Sequence, residues 1–285
     1  MIIIKLDGGM GNQLFQYAAG KYLSLKLDTN LKLDCDTYSE NKQRQYSLHH
    51  FNTEEIFCTK REKKMLKRKE YFRNKLKMIG FSTSAYWWTE PNPGYHDYIQ
   101  HLTGNVYLEG FWQSEKYFKP IENIIRNEFM VKESPSELNR HYLDEIGYVN
   151  AVSLHVRRGD YVSDEVTNAV HGVCGIDYYR EAINRMASDV NDPHFFIFSD
   201  DMEWTKVNLS IDRYPVTYID HNAAADYEDL RLMYSCKHHI IANSSFSWWG
   251  AWLNNYTEKK VIAPKKWFRS LLTNNDIIPE GWLTL

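Results

Sequence analysis

The second half of the chain alternates short apolar runs with helical patterns. YVNAVSLHV (148–156), HFFIFS (194–199), PVTYID (215–220), HHIIANS (238–244) and KVIAP (260–264) are rich in Val, Ile and Phe. Between them stand GIDYYREAINRMASDV (175–190), DDMEWTKVN (200–208), ADYEDLRLMYSCK (225–237) and SFSWWGAWLNN (245–255), with helix-like spacing. Strands alternating with helices predict a parallel sheet covered on both faces, an α/β architecture. Ligands of such sheets bind at the carboxyl ends of the strands. Four polar clusters fall there: HVRRGD, FSDD, the YIDHN turn and ANSS.

The first half starts in the same way. MIIIKL predicts a strand, GNQLFQYAAGKYLSLKL a helix and NLKLDCD a second strand; then the rhythm loosens. A basic helix is predicted over 59–78, an aromatic and Pro-rich loop over 85–98, and a strand running into a helix over 105–118. A Glu-Ser-Pro-Ser segment at 133–136 lies near the best boundary, so two domains are expected, 1–147 and 148–285. No repeat or low-complexity tract interrupts them.

Composition adds limits. The 285 residues are 43% hydrophobic and 25% charged with a net charge of −3, so a packed core is expected and no global basicity advertises nucleic acid. Cys35, Cys58, Cys174 and Cys236 are far apart, which is neither a zinc spacing nor a disulfide framework, and reads as reduced thiols in a cytosolic protein. No apolar stretch approaches the length of a membrane span. The MIIIKLDGG start lacks a basic leader region and reads as a buried strand. The basic run 59–78 is a solvated face or a shallow contact with anionic lipid.

Two motifs carry chemistry. In LHVRRGDYV (154–162), strand alternation sends His155 and Arg157 to one side and Arg158 to the other, so the first pair can converge on one ligand. A guanidinium suits phosphate, because its planar fork donates parallel hydrogen bonds and keeps its charge. Arg158 either pairs with a carboxylate or swings in as a second clamp. In NSSFSWWGAWL (243–253), Ser244 and Ser245 sit where a helix N-cap is expected. A helix start offers unpaired N–H groups and partial positive charge. Together the two motifs predict a pyrophosphate cradle. Trp248, Trp249 and Trp252 are expected to pack the helix.

GGMGNQ (8–13) imitates a dinucleotide fingerprint but has Leu14 in place of the third glycine, which argues against a Rossmann oxidoreductase. Asn12 and Gln13 instead present amides suited to a hydroxyl-rich ligand. The Asp34–Cys35–Asp36 triplet could hold a divalent ion, yet it lies in the half without phosphate signals; the adjacent pairs His49–His50 and His238–His239 are not spaced for one ion. No metal site is expected.

GGMGNQLFQYA, HVRRGDY, FSDD and NSSFSWWGAWL, in this order and spacing, resemble the α-1,2-fucosyltransferase family of glycosyltransferases over residues 1 to about 264. The resemblance implies a GT-B fold, two Rossmann-like domains facing across a cleft, with acceptor bound by the first and donor by the second. It implies transfer of L-fucose from GDP-β-L-fucose to the 2-hydroxyl of a terminal β-galactoside or lipid-linked glycan, with inversion and no obligatory metal or other cofactor. Carried across, His155 and Arg157 hold the diphosphate with Arg158 in support, Ser244, Ser245 and Phe246 complete the cradle, and Asp229 reads guanine. Asp200 is a further nucleotide candidate, and Asn12 and Gln13 face acceptor and fucose. The base is expected at Asp160, with Glu165 and Asp164 as fallbacks; pairing with Arg158 or capping the turn is the alternative role of Asp160. Asp7 departs from the apolar or small residue expected before the double glycine. A fucosyltransferase of another linkage, or a non-catalytic glycan-binding module, is the alternative. The expected location is the cytoplasm, with peripheral contact at the inner membrane face through the basic helix.

Overall fold

The computed structural model describes residues 1–40, 44–78, 86–209, 211–269 and 275–285, and omits the side chains of residues 40, 76, 77, 160 and 275. The chain forms two compact units, Met1–Met130 with Asn274–Pro279, and Val131–Thr273 with Glu280–Leu285. No helix among the described residues is long and apolar enough to cross a membrane.

Unit 1 holds a four-stranded sheet of β1 (Ile2–Lys5), β2 (Leu31–Asp34), β3 (Trp87–Thr89) and β4 (Val106–Glu109) in the order β2-β1-β4-β3. Every pairing is parallel. The isoleucines of β1 are fully buried, as an inner strand covered on both faces requires. Helix α1 (Met10–Lys26) returns the chain from β1, and the short α2 (Asp36–Glu40) follows β2. Helix α3 (Lys60–Met78) sets Leu66 against Ile3 and Tyr107. Helix α4 (Glu122–Glu128) closes the unit.

Unit 2 begins with α5 (Glu137–Tyr148), not with the strand at 148. Ile146 of α5, flanked by Tyr142 and Leu143, packs on Ala151, Phe196, Leu232 and Met233, so this helix covers the second sheet and the division falls at Met130–Val131 instead of 147. The sheet contains β5 (Asn150–Val156), β6 (Pro193–Ser199), β7 (Val216–Ile219), β8 (His238–Ile240), β9 (Val261–Ala263) and β10 (Leu283–Thr284). Its order is β10-β9-β8-β5-β6-β7, all parallel. Read from β7, the third, second, first, fourth, fifth and sixth strands stand side by side, the order of a doubly wound Rossmann sheet. The order reverses between β5 and β8, and the carboxyl ends of these two strands flank the switch point.

Alternation along β5 and β6 divides the core into two layers. Val152, Leu154, Val156, Phe195 and Ile197 meet Tyr179, Ile183 and Met186 of α8 (Ile176–Asp189). Ala151, Phe196 and Phe198 face α5 and α10 (Asp226–Ser235). The short helices α6 (Gly159–Ser163), α7 (Glu165–His171) and α9 (Met202–Asn208) follow β5 and β6, and α11 (Ser245–Leu253) follows β8. Trp248, Trp249 and Trp252 of α11 are buried in contact with one another.

Candidate active site

The carboxyl end of β5 delivers His155 and Arg157 to the switch point. His155 shares the period-two face of Ala151 and Ser153, is 5% exposed, and lies 5.7 Å from the Phe246 ring at the start of α11. Its Nδ1 has no hydrogen-bond partner among the described residues. Burial pushes the imidazole pKa down to about 4, with Asp200 opposing and Arg157 reinforcing the shift, so the ring is neutral at pH 7. A neutral, buried imidazole with one uncommitted nitrogen is a hydrogen-bonding group in need of a partner.

Asp200 organises the two arginines. Its Oδ2 accepts from Arg157 Nη1 at 2.8 Å, and its Oδ1 accepts from the Arg158 backbone N–H at 2.8 Å. Asp200 therefore braces the arginine loop. The Arg157 guanidinium also lies 5.3 Å over the Tyr161 ring, and its side chain keeps 22% of its surface exposed. Arg158 turns the other way, as alternation requires. Its Nε donates to Asp201 at 3.1 Å, and its guanidinium stacks 3.7 Å over Trp204. The carboxylate that takes Arg158 is thus Asp201. The side chain of Asp160 lies outside the described residues. Asp164 Oδ1 caps α7 by accepting from Thr167 N at 2.6 Å, and Glu165 is exposed in the first turn of that helix.

Across the switch point, α11 starts without a side-chain cap. Ser244 occupies the N-cap with extended backbone, and its hydroxyl makes no capping bond. Neither Ser244 nor Ser245 commits its hydroxyl to another described residue. Ser247 by contrast bonds back to the Ser244 carbonyl at 3.3 Å. The helix start therefore combines unpaired N–H groups, two available hydroxyls and the positive end of the helix dipole.

Asn243, just before α11, was not singled out by sequence, since a single amide after a strand has no signature. It ties the site together: its Nδ2 donates to the carbonyls of His171, Gly172 and Trp267, and its own carbonyl accepts from Tyr161 Oη. Asp229, in the first turn of α10, accepts from Asn222 Nδ2 at 2.9 Å. Burial pushes its pKa up to about 7, against that hydrogen bond, with Asp226 and Glu228 adding to the rise.

The corresponding strand ends of unit 1 are cross-linked by side chains, with the buried Glu90 Oε1 and Trp112 Nε1 left without a partner among the described residues. Gly8, at φ +80, turns the chain from β1 into α1. Gln16 bridges the β1 and β4 ends, its Oε1 accepting from Asp7 N at 2.9 Å and its Nε2 donating to Gly110 O at 3.0 Å. Asp7 itself accepts from the Gly8 N–H, which gives this unexpected acid a local role. Gln13 is fully buried; its Nε2 donates to the carbonyls of Gly8 and Gln45 and its Oε1 accepts from Ser47 N. Asn12 is half-buried and receives Gln113 Nε2 at 2.8 Å. Glu90 Oε2 accepts the N–H groups of Phe111 and Trp112, holding Trp112 at φ +56. The acid pair Asp34 and Asp36 is bound by Lys63, and Asp34 also accepts from Tyr107 Oη at 2.7 Å, so these carboxylates brace α3.

The chain matches the family model of glycosyl transferase family 11 over residues 1–285. It is 35% identical to an α-1,2-colitosyltransferase of Escherichia coli, covering 100% of this chain and 99% of the relative. It is 30% identical to the O-antigen biosynthesis glycosyltransferase WbnK of Escherichia coli, covering 98% of this chain and 99% of the relative. A galactoside α-(1,2)-fucosyltransferase 1 of Homo sapiens is 32% identical over 51% of this chain and 42% of its own length. With two parallel Rossmann-type units and full-length agreement with the family model, this chain belongs to glycosyl transferase family 11.

Proposed function

We propose that the protein transfers L-fucose from GDP-β-L-fucose to the 2-hydroxyl of a terminal β-galactoside, inverting the linkage to α, with unit 2 binding donor and unit 1 binding acceptor. The observation that carries this reading is the uncapped start of α11 opposite Arg157 and the orphan His155 Nδ1 at the sheet's switch point. A nucleotide diphosphate supplies acceptor oxygens for the helix start and for His155, and adds negative charge beside the Arg157 guanidinium that Asp200 holds.

As the bond from sugar C1 to the diphosphate oxygen breaks, charge collects on the phosphate while C1 becomes oxocarbenium-like. Donors fixed beforehand stabilise that charge without reorganising. Arg157, held by Asp200, and the α11 N–H groups with Ser244 and Ser245 have this role, and neutral His155 donates through a ring N–H. Phe246 shapes the wall beside His155. Arg158 acts through position, locking the loop by Asp201 and Trp204. Because the charge-stabilising set is cationic and N–H based, the reaction needs no divalent ion in this reading. Asp229 offers a carboxylate to the two N–H groups on one edge of guanine. On the acceptor side, Asn12 is the amide with surface to offer, and Gln13 is its support. Asp160 is the proposed base for the acceptor hydroxyl.

A second donor is favoured by the full-length similarity to a colitosyltransferase. Colitose is fucose without its 3-hydroxyl, so the same diphosphate cradle accepts GDP-colitose, and the choice rests on what meets that hydroxyl. Incubation with each GDP-sugar and lactose, in EDTA, tests both readings. Formation of 2′-fucosyllactose supports the first reading, and transfer only from GDP-colitose supports the second. Loss of activity in EDTA, restored by magnesium, would overturn the metal-free step.

A further inference from the structure

Helix α3 carries a face that neither the core of unit 1 nor the proposed transfer site uses. Its inward stripe is Glu62, Lys63, Leu66, Glu70 and Arg73, at spacings of three and four. Glu62 bonds Lys32 at 2.6 Å, and Glu70 accepts from Arg73 and from the N–H groups of Tyr86 and Trp87. Lys63 serves Asp34 and Asp36. Both acids of the helix are therefore turned inward and paired, and the described outward face is basic.

That face is also apolar in a regular way. Met65 and Phe72, two turns apart, are 38% and 49% exposed, and Tyr71 is 58% exposed. Arg61, Lys64, Arg68 and Lys75 surround them, all exposed. The Arg68 guanidinium lies 5.7 Å from the Phe72 ring centroid, and the Lys75 ammonium 4.7 Å from that of Tyr71. Solvation alone calls for the charges but not for a stripe of large apolar side chains among them. A helix that lies in a membrane interface calls for both.

We propose that α3 docks this protein on an anionic lipid surface, with Arg61, Lys64, Arg68 and Lys75 at the headgroup phosphates and Met65 and Phe72 entering the headgroup–acyl boundary. Charge complementarity selects an anionic partner. The apolar pair selects lipid over a duplex, whose phosphates reward charge alone.

Co-flotation with vesicles of phosphatidylcholine, with and without phosphatidylglycerol, tests this. Binding is expected only with phosphatidylglycerol, and it weakens as salt is raised. The triple variant Arg61→Glu, Lys64→Glu, Arg68→Glu lowers the partition coefficient by about a hundredfold or more. Met65→Ser with Phe72→Ser weakens binding while leaving its salt dependence. Both variants keep the inward stripe, and circular dichroism checks their fold. Both retain wild-type transfer to soluble lactose, so this proposal and the assigned reaction fail separately. Equal binding to both vesicle types, no binding to phosphatidylglycerol, or tighter binding to duplex DNA than to vesicles overturns it.

Discussion

The two units have parallel sheets with a switch point each, and the two switch points are finished with different side chains. Between β1 and β4, Gln16 joins the strand ends, and Gln13, Asp7 and Glu90 Oε2 are bound to neighbouring backbone, while the buried Glu90 Oε1 and Trp112 Nε1 have no partner among the described residues. Between β5 and β8, the start of α11, the Ser244 and Ser245 hydroxyls and His155 Nδ1 have no described protein partner. What sets the second apart is the chemistry beside its unpartnered nitrogen: a guanidinium and an uncapped helix start, both suited to an anion. In the proposed reading the first switch point is scaffold and the second takes the diphosphate. The same topology therefore does not give the same function, which resides in the side chains at the strand ends.

The comparison breaks most directly at Arg157. Arg157→Ala removes a charged donor from the leaving-group site and is expected to lower kcat by several hundredfold, about 3–4 kcal/mol, with unchanged circular dichroism. Near-wild-type turnover would show that the open switch point is not the reacting one. Gln16→Leu is the counterpart in unit 1. It strands Asp7 N and Gly110 O and should cost about 2–3 kcal/mol of stability in a denaturant titration. GDP affinity should remain unchanged by calorimetry. A selective loss of GDP binding in this variant would mean that the two ends had been given the wrong roles.

Most of the framework was legible because burial imposes a period. The β5 run and the amphipathic α8 read directly, as did α11, whose aromatic side was expected to be core and is. The strand Trp87–Thr89 was hidden in a loop reading, being three residues long at a sheet edge beside a Pro-rich segment. Helix α5 was missed although Ser136 caps it by accepting from Asn139 N, a signal present in SPSELN. Side-chain partners were harder. Nothing local to Gln13 reveals that Gln45 and Ser47 will bond it. Arg158 looks like a second clamp until the fold brings Asp201 and Trp204 beneath it. Strand order, not sequence distance, decides such contacts.

Asp229 sharpens the comparison through pH. Its carboxyl, raised to about 7 chiefly by burial, must be ionised to accept guanine N–H groups. GDP affinity should therefore fall about tenfold for each pH unit below that value. Asp229→Asn should flatten this profile and weaken GDP by roughly tenfold or more near neutral pH. Stability moves the other way. A folded pKa raised above the ordinary carboxylate value favours the fold most below about pH 4, and that benefit is lost as pH rises through about 7. At about pH 8 the ionised group is a burden, so Asp229→Asn should raise Tm there and change it little near pH 4. If the variant instead loses Tm and GDP affinity together, Asp229 is structural.

The smallest expected effect isolates the brace behind Arg157. A Cβ on Gly159 would stand 2.6 Å from Asp200 Oδ2 and 3.1 Å from its Cγ, so alanine there must displace the carboxylate that holds Arg157. Gly159 opens α6, where alanine is the better helix former by up to about 1 kcal/mol, which offsets part of the cost of disturbing the Asp200 bonds, so the change in stability should be small. Activity should nevertheless fall by about tenfold, because a guanidinium shifted by a fraction of an ångström meets the departing phosphate poorly. The decisive measurement is the double variant. If Gly159 acts through Asp200 on Arg157, then Gly159→Ala has no further effect once Arg157→Ala is present, and the two losses do not add. Additive losses would place the role of Gly159 elsewhere, and would leave the orientation of Arg157 to the Tyr161 ring beneath it.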